Sequence, residues 1–162
     1  MSRRPAQLIL LAAASLAVVS PSLLAQDATT PDLSGTWVLN PSKSKIAKKV
    51  ALDPETLVFK CAGNSIEIAT FSGGKQSLEM FVADGKEHTK DTGSGGQIYS
   101  KAQWKKAVLF TETGGRVTGN GIGTFDFLAD KQRWSVSPDG LVLTRELEDP
   151  KETLAYDKRP AQ

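Results

Sequence analysis

The chain has 162 residues, with 20 Lys and Arg against 18 Asp and Glu, one His and one Cys. That length suits one ordinary domain, and 40% apolar with 23% charged residues is the composition of a folding chain. One Cys allows no internal disulfide and no cysteine-built zinc site, and one His leaves a single imidazole for proton transfer.

Arg3 and Arg4 precede an uncharged apolar run, Leu8 to Val19, followed by Pro21, Ser22 and Ala25. A basic start, an apolar run and small residues are the three parts of an export signal. The run is shorter than the ~20 residues that span a bilayer. Residues 1–25 therefore read as a signal peptide cut after Ala25, with a cut after Ser22 as the alternative. Export implies the periplasm or the extracellular space, with no stable membrane insertion after cleavage. No Cys directly follows the run, at the cleavage site, to carry a lipid. Removing Arg3 and Arg4 leaves 18 basic against 18 acidic residues in the remaining 137 (162 less 25). A neutral domain has no field to attract nucleic acid or anionic lipid. A domain of that size buries roughly two-thirds of its unfolded surface, enough for a core without cross-links.

Residues 26–32 are polar, include Pro31 and read as a linker to a single domain, 33–162. Within it, short alternating segments recur between turn residues, the pattern of an all-β sandwich or barrel. The predicted strands are Gly35–Asn40, Thr56–Ala62, Ser65–Phe71, Gln76–Val82, Glu87–Thr92 and Gln97–Trp104, then Ala107–Thr113, Thr124–Ala129, Lys131–Ser137, Leu141–Glu148 and Thr153–Asp157. Gly63-Asn64, Gly73-Gly74, Asp84-Gly85, Gly114-Gly115 and Ser137-Pro138-Asp139-Gly140 read as tight turns. Connections this short favour sequential antiparallel neighbours, an up-and-down barrel of about eight to ten strands. One connection is longer: Ser42 is a candidate cap for a short helix over Lys43–Val50, or the segment is a loop, and its lysines Lys43, Lys45, Lys48 and Lys49 read as a solvated face. Pro54 ends any helix there.

Alternation assigns an interior. Leu57, Phe59 and Cys61 share a face, as do Ile66 and Ile68, then Leu78, Met80 and Val82. Ile98, Ala102 and Trp104 follow, then Val108 and Phe110, Phe125 and Phe127, Trp134 and Val136, and Leu141, Leu143 and Leu147. Arg145 breaks the last set, and an inward Arg needs acceptors or an aromatic face. Trp37 on the first strand is the expected partner, since a barrel closes by joining its first and last strands.

Gly35-Thr36-Trp37 with a late Arg145 resembles the lipocalin or calycin arrangement, in which such a Trp and Arg pack across the closed end of an up-and-down barrel. Leu33 to Lys45 and Trp134 to Arg145 are similar to the two ends of secreted bacterial lipocalin-like (calycin-type) proteins. The resemblance implies structural roles for Trp37 and Arg145. It also implies a barrel that in most relatives holds a small apolar molecule, although fold alone does not settle function. The chain lacks the disulfides and long C-terminal helix of larger lipocalins.

Other residues offer little chemistry. His88, between Lys86 and Lys90, reads as a surface residue, and Cys61 as a small core residue. Gly119-Asn120-Gly121-Ile122-Gly123 is followed by the alternating Thr124-Phe125-Asp126-Phe127, so it reads as a loop at the barrel mouth and not as a phosphate cradle. No cofactor or metal is called for. Three classes remain: a non-catalytic carrier of a small apolar molecule lined by Phe59, Met80, Trp104, Phe110 and Trp134; a structural or interaction protein of the cell envelope with a filled barrel; and, with no nucleophile–base set to support it, an enzyme. The first is preferred.

Overall fold

The computed structural model describes residues 30–46, 51–93, 95–119 and 123–160. The signal peptide, the start of the linker, Lys48 and Lys49, and residues 120–122 of the glycine-rich loop lie outside the described residues.

Among the described residues, ten antiparallel strands form one sheet: β1 Gly35–Leu39, β2 Glu55–Ala62, β3 Ser65–Ser72, β4 Lys75–Val82, β5 Glu87–Asp91, β6 Gly96–Lys105, β7 Val108–Gly119, β8 Gly123–Val136, β9 Val142–Leu147 and β10 Glu152–Lys158. Their order, β4-β3-β2-β1-β10-β9-β8-β7-β6-β5, is an up-and-down meander that closes through β1 and β10. It is an all-β, nearly closed barrel of lipocalin-like fold. The described part of the long β1–β2 connection holds a turn at 41–43 and a bridge from Lys45 to Thr153.

Two-residue turns fix the register. Gly63-Asn64 sets Ala62 opposite Ser65, and Gly73-Gly74 sets Ser72 opposite Lys75. Both glycines of the second turn have positive φ (56° and 73°), the backbone that matches the twist of the flanking strands. Counting back from these turns, Ile68 on β3 faces Phe59 on β2 and Glu79 on β4, while Ile66 faces Cys61 and Phe81.

This register inverts the expected face of β4. Phe81 is buried in the interior, whereas Leu78, Met80 and Val82 lie on the outer face and Met80 is 68% exposed. A strand slipped by one residue exchanges its faces, and the turn outweighs the three apolar residues. The β6–β7 hairpin acts likewise: Trp104 pairs with Leu109, so Phe110 pairs with Gln103 and points outward beneath Lys105 and Arg133. Leu109 and Thr111 take the interior positions.

Two predicted turns are not hairpins. Gly114-Gly115 lies within β7, paired across to Tyr99 and Ile98 on β6. Asp84-Gly85 joins β4 to β5, which do not pair, and the Gly85 amide bonds Ala102 O instead. The two strands expected over 124–137 are one strand, β8. Between the pairs Thr113–Asp130 and Gly115–Phe127 it carries one residue more than β7, and this bulge absorbs the break in alternation.

The core fills the closed end. Trp37, Leu57, Phe59, Ile66, Ile68, Leu109, Trp134, Leu143 and Tyr156 are all buried, with Leu33 over the end. Phe59 meets Trp134 edge to face, ring centroids 5.1 Å apart. Trp37 Nε1 donates to Leu33 O and Trp134 Nε1 to Thr111 Oγ1, so both indoles are satisfied without water. Trp104 points inward and packs against this core, half-buried, as does Cys61, whose thiol burial pushes up in pKa.

Trp37 and Arg145 do not meet. Arg145 stacks on Trp134 (5.2 Å), and the cation over Trp37 is Lys158 (5.1 Å). The reason is register. Lys158, the β10 partner of Trp37, bonds Leu141 O, four residues short of Arg145. Four residues of strand is ~13 Å, beyond the reach of a stacked pair.

Candidate functional site

Among the described residues, a polar layer inside the barrel and a cleft at its open seam are the candidate sites.

The inner layer is a chain of hydrogen bonds. Tyr156 Oη donates to Glu55 Oε1 (2.5 Å), and Arg145 Nη1 lies 3.4 Å from the same oxygen. Arg145 Nε donates to Gln132 Oε1 (3.1 Å), and Gln132 Nε2 to Asp130 Oδ2 (2.6 Å). Burial pushes the Tyr156 phenol well up, and accepting its hydrogen bond leaves Glu55 doubly engaged. Glu79 comes into the same region from β4. Burial raises its carboxyl above the ordinary 4.5, with Arg145 opposing and Asp130 adding to the rise. Among the described residues every buried side-chain polar atom has a partner. Arg145 is thus held by Trp134, Gln132 and Glu55, and not by Trp37 as expected.

The seam lies where β4 ends the sheet on one side and β5 on the other. The two are not hydrogen-bonded, and β4 approaches β6 directly. A cleft of about 840 Å³ occupies this lap. Its wall on one side is the outer face of β4, Leu78 and Met80; its floor is the concave face of β5 to β8. Pairing places the floor in rows across the strands. His88, Ser100, Thr113 and Asp130 make a polar row, and Lys90, Ile98, Gly115 and Phe127 the next. Gly96, Val117 and Phe125 continue it outward. Ile98, Val117, Phe125 and Phe127 are each between 43% and 55% exposed, although they occupy the face that farther along the same strands is core. The long β6–β8 ladder overhangs the packed end, so its inner face runs out of interior to cover.

Gly115 shapes the floor. The Phe127 ring lies directly on it, so close that a Cβ there would overlap the ring. On the convex face Tyr99 lies on Gly114 in the same way, with a Cβ there 2.6 Å from the ring. The diglycine that reads as a turn in the sequence is the bed for two aromatic rings on opposite faces. Arg116 spans that convex face, 2.6 Å from both Asp126 and Glu87, and Arg116 lowers the Asp126 pKa through their hydrogen bond. His88 binds Asp84 (3.1 Å) at the cleft edge.

Of the five predicted lining residues, Phe59 and Trp134 are locked in the core, Trp104 packs against it, and Phe110 is on the outside. Met80 does border the cleft, from the face opposite to the one expected. The sequence gives no signal for Lys90 or for the seam itself; Ile98 and Phe127 read as inward, and nothing in the alternation shows that they stay uncovered.

The arrangement defines a barrel with a packed interior and an apolar lap at its seam. No family model and no curated protein matches the chain. Solved structures do. A protein described as REP1-NXSQ fatty acid transporter is similar at 17% identity and a TM-score of 0.55, over 80% of this chain and 98% of that one. Human cRBP IV is similar at 19% identity and 0.53, over 80% and 99%. Caenorhabditis elegans lipid binding protein 8 is similar at 11% and 0.50, over 78% and 94%. At these identities the likeness establishes the fold.

Proposed function

We propose that the protein is an exported, non-catalytic carrier or binder of a small apolar molecule, held in the lap between β4 and β5–β8. The observation that carries this reading is the cleft of about 840 Å³ with Leu78, Met80, Ile98, Val117 and Phe127 uncovered around it. A contiguous apolar surface left open to water marks a binding site. That fatty-acid and lipid binders share the fold supports the same reading. Export rests on the segment Arg3 to Ala25.

The packed interior favours the filled-barrel interaction protein as the second reading, and one experiment separates the two. Native mass spectra of the protein recovered from expressing cells, with titration of the neutral dye Nile red, should reveal an apolar occupant. Ile98→Asp and Phe127→Asp should each abolish dye binding while leaving the unfolding midpoint within about 1 kcal/mol of the parent, since both side chains are half-exposed. A clean apo mass and no dye response would establish the filled barrel. Trp104 and Trp134 are poor reporters, because neither borders the cleft.

A further inference from the structure

The charge pattern around the cleft is uneven, and it selects among apolar guests. Arg116 is held on the convex face by Glu87 and Asp126, Arg145 in the interior by Glu55 and Gln132, and His88 by Asp84. Lys90 is different. It lines the cleft from the edge strand β5, it is exposed, and among the described residues no carboxylate pairs with it. It also begins the apolar row: Lys90 pairs with Ile98, Ile98 with Gly115, and Gly115 with Phe127. Three inter-strand steps make that row ~14 Å long. A cation stands at one end, a trough over a glycine lies in the middle, and an aromatic ring closes the other end.

We infer that Lys90 is a specificity-determining residue that makes the cleft a site for a single-chain amphiphile with an anionic head. The head sits at Lys90 at the mouth of the seam, and the tail runs across the strands over Ile98 and Gly115 to Phe127, under Leu78 and Met80. This rests on the proposed binding at the seam and adds to it the class of guest and its direction. The interior Arg145 is not the head-group partner, because it does not line the cleft and is engaged inside the barrel by Glu55 and Gln132. An ammonium at a partly dry rim forms a stronger hydrogen bond to an anion than to an alcohol. It also snorkels, laying its apolar stem along the guest.

The test is calorimetric titration of the protein as recovered from expressing cells, delipidated, with three probes of equal chain length kept below their micelle concentrations: dodecanoate, dodecanol and dodecyltrimethylammonium. Dodecanoate should bind about tenfold more tightly than dodecanol, the equivalent of ~1.4 kcal/mol, and the cationic probe most weakly. The preference should shrink in 0.5 M salt, where the screening length falls to ~4 Å. Lys90→Gln should erase the preference by bringing dodecanoate down to the level of dodecanol, and continued binding of dodecanol shows the cleft intact. Gly115→Leu, which drives Phe127 off its bed, should weaken all three probes. If no probe binds the parent protein, the binding reading itself fails. If the probes bind but the preference survives Lys90→Gln and disappears in Arg145→Gln, the head lies inside the barrel and this inference is overturned while the binding reading stands. If the protein sediments as a dimer that Met80→Asp dissociates, a second copy covers the cleft, and the inference is likewise overturned.

Discussion

Phe59 decides whether the closed end of the barrel is solid or hollow. Its ring is 2% exposed, it sits opposite Ile68 and Gly35, and it meets Trp134 at 5.1 Å with the planes 74° apart. Phe59→Ala in a packed core loses about 3–5 kcal/mol, because the transfer energy of the ring and the residual cavity both count. The edge-to-face contact accounts for about 0.5–1.5 kcal/mol of that loss. Against a total stability of about 5–15 kcal/mol this is a large fraction. With a urea slope of about 2 kcal/mol/M, the midpoint should fall by about 2 M. Phe110→Ala is the control: its ring lies outside beneath Lys105 and Arg133, and its loss should cost only about 1 kcal/mol. Equilibrium urea unfolding followed by far-UV circular dichroism measures both. A hollow barrel predicts otherwise: Phe59 would line open space, its truncation would leave no new cavity, and the two variants would lose stability equally. A Phe59→Ala shift below about 0.5 M would refute the packed interior and return Phe59 to the lining of a guest site.

The remaining predictions concern Arg145 and Glu79. In a double-mutant cycle, Arg145→Ala and Trp134→Leu should couple by about 0.5–2 kcal/mol, the range of a cation over an indole. Arg145→Ala and Trp37→Phe should add within about 0.5 kcal/mol, as residues without shared partners do; urea midpoints of the single and double variants decide between the two partners. Burial raises the Glu79 pKa in the fold, so the folded state holds that proton more tightly than the unfolded chain does. Its contribution is favourable below the ordinary 4.5 and is lost as pH rises through the folded value. Glu79→Gln should therefore raise the thermal midpoint at pH 7 and have little effect at pH 4; equal effects at both pH values would show that the carboxylate is not penalised by burial.

Much of the barrel was legible because its signals are local. Eight of the ten described strands sit within a few residues of their expected bounds, because each is an alternating segment between turn residues such as Gly63-Asn64 and Ser137-Pro138-Asp139-Gly140. What misled were places where two local signals disagree. On β4 the alternation of Leu78, Met80 and Val82 argues for one face and the two-residue turn at Gly73-Gly74 for the other. The turn prevails, because it is covalently tied to the fixed phase of Ile66 and Ile68. Leu109 and Phe110 pose the same choice one hairpin later, settled by Lys105 pairing with Val108. Gly114-Gly115 misled for another reason: a glycine pair is permissive of a turn and does not require one. Here it serves Tyr99 and Phe127, whose rings occupy the space that side chains at these positions would fill.

The seam follows from the same arithmetic carried to the last pair of strands. β5 reads Glu87-His88-Thr89-Lys90-Asp91, all exposed, a charged edge of the kind that discourages pairing. β4, its chain neighbour, has turned its apolar residues outward. A hairpin between the two would have set Leu78 and Met80 beside those charges on the outer surface. Instead Asp84 turns the chain, accepting from the Lys86 amide and holding His88, and Gly85 is tied to Ala102 on β6. β5 is thereby carried past β4, so that the outer face of one strand lies against the concave face of the next. The inverted phase of β4 and the open seam are thus one feature. A β4 with the opposite phase would have put Met80 into an already filled core and left the floor formed by Ile98, Gly115 and Phe127 without an apolar wall to face it.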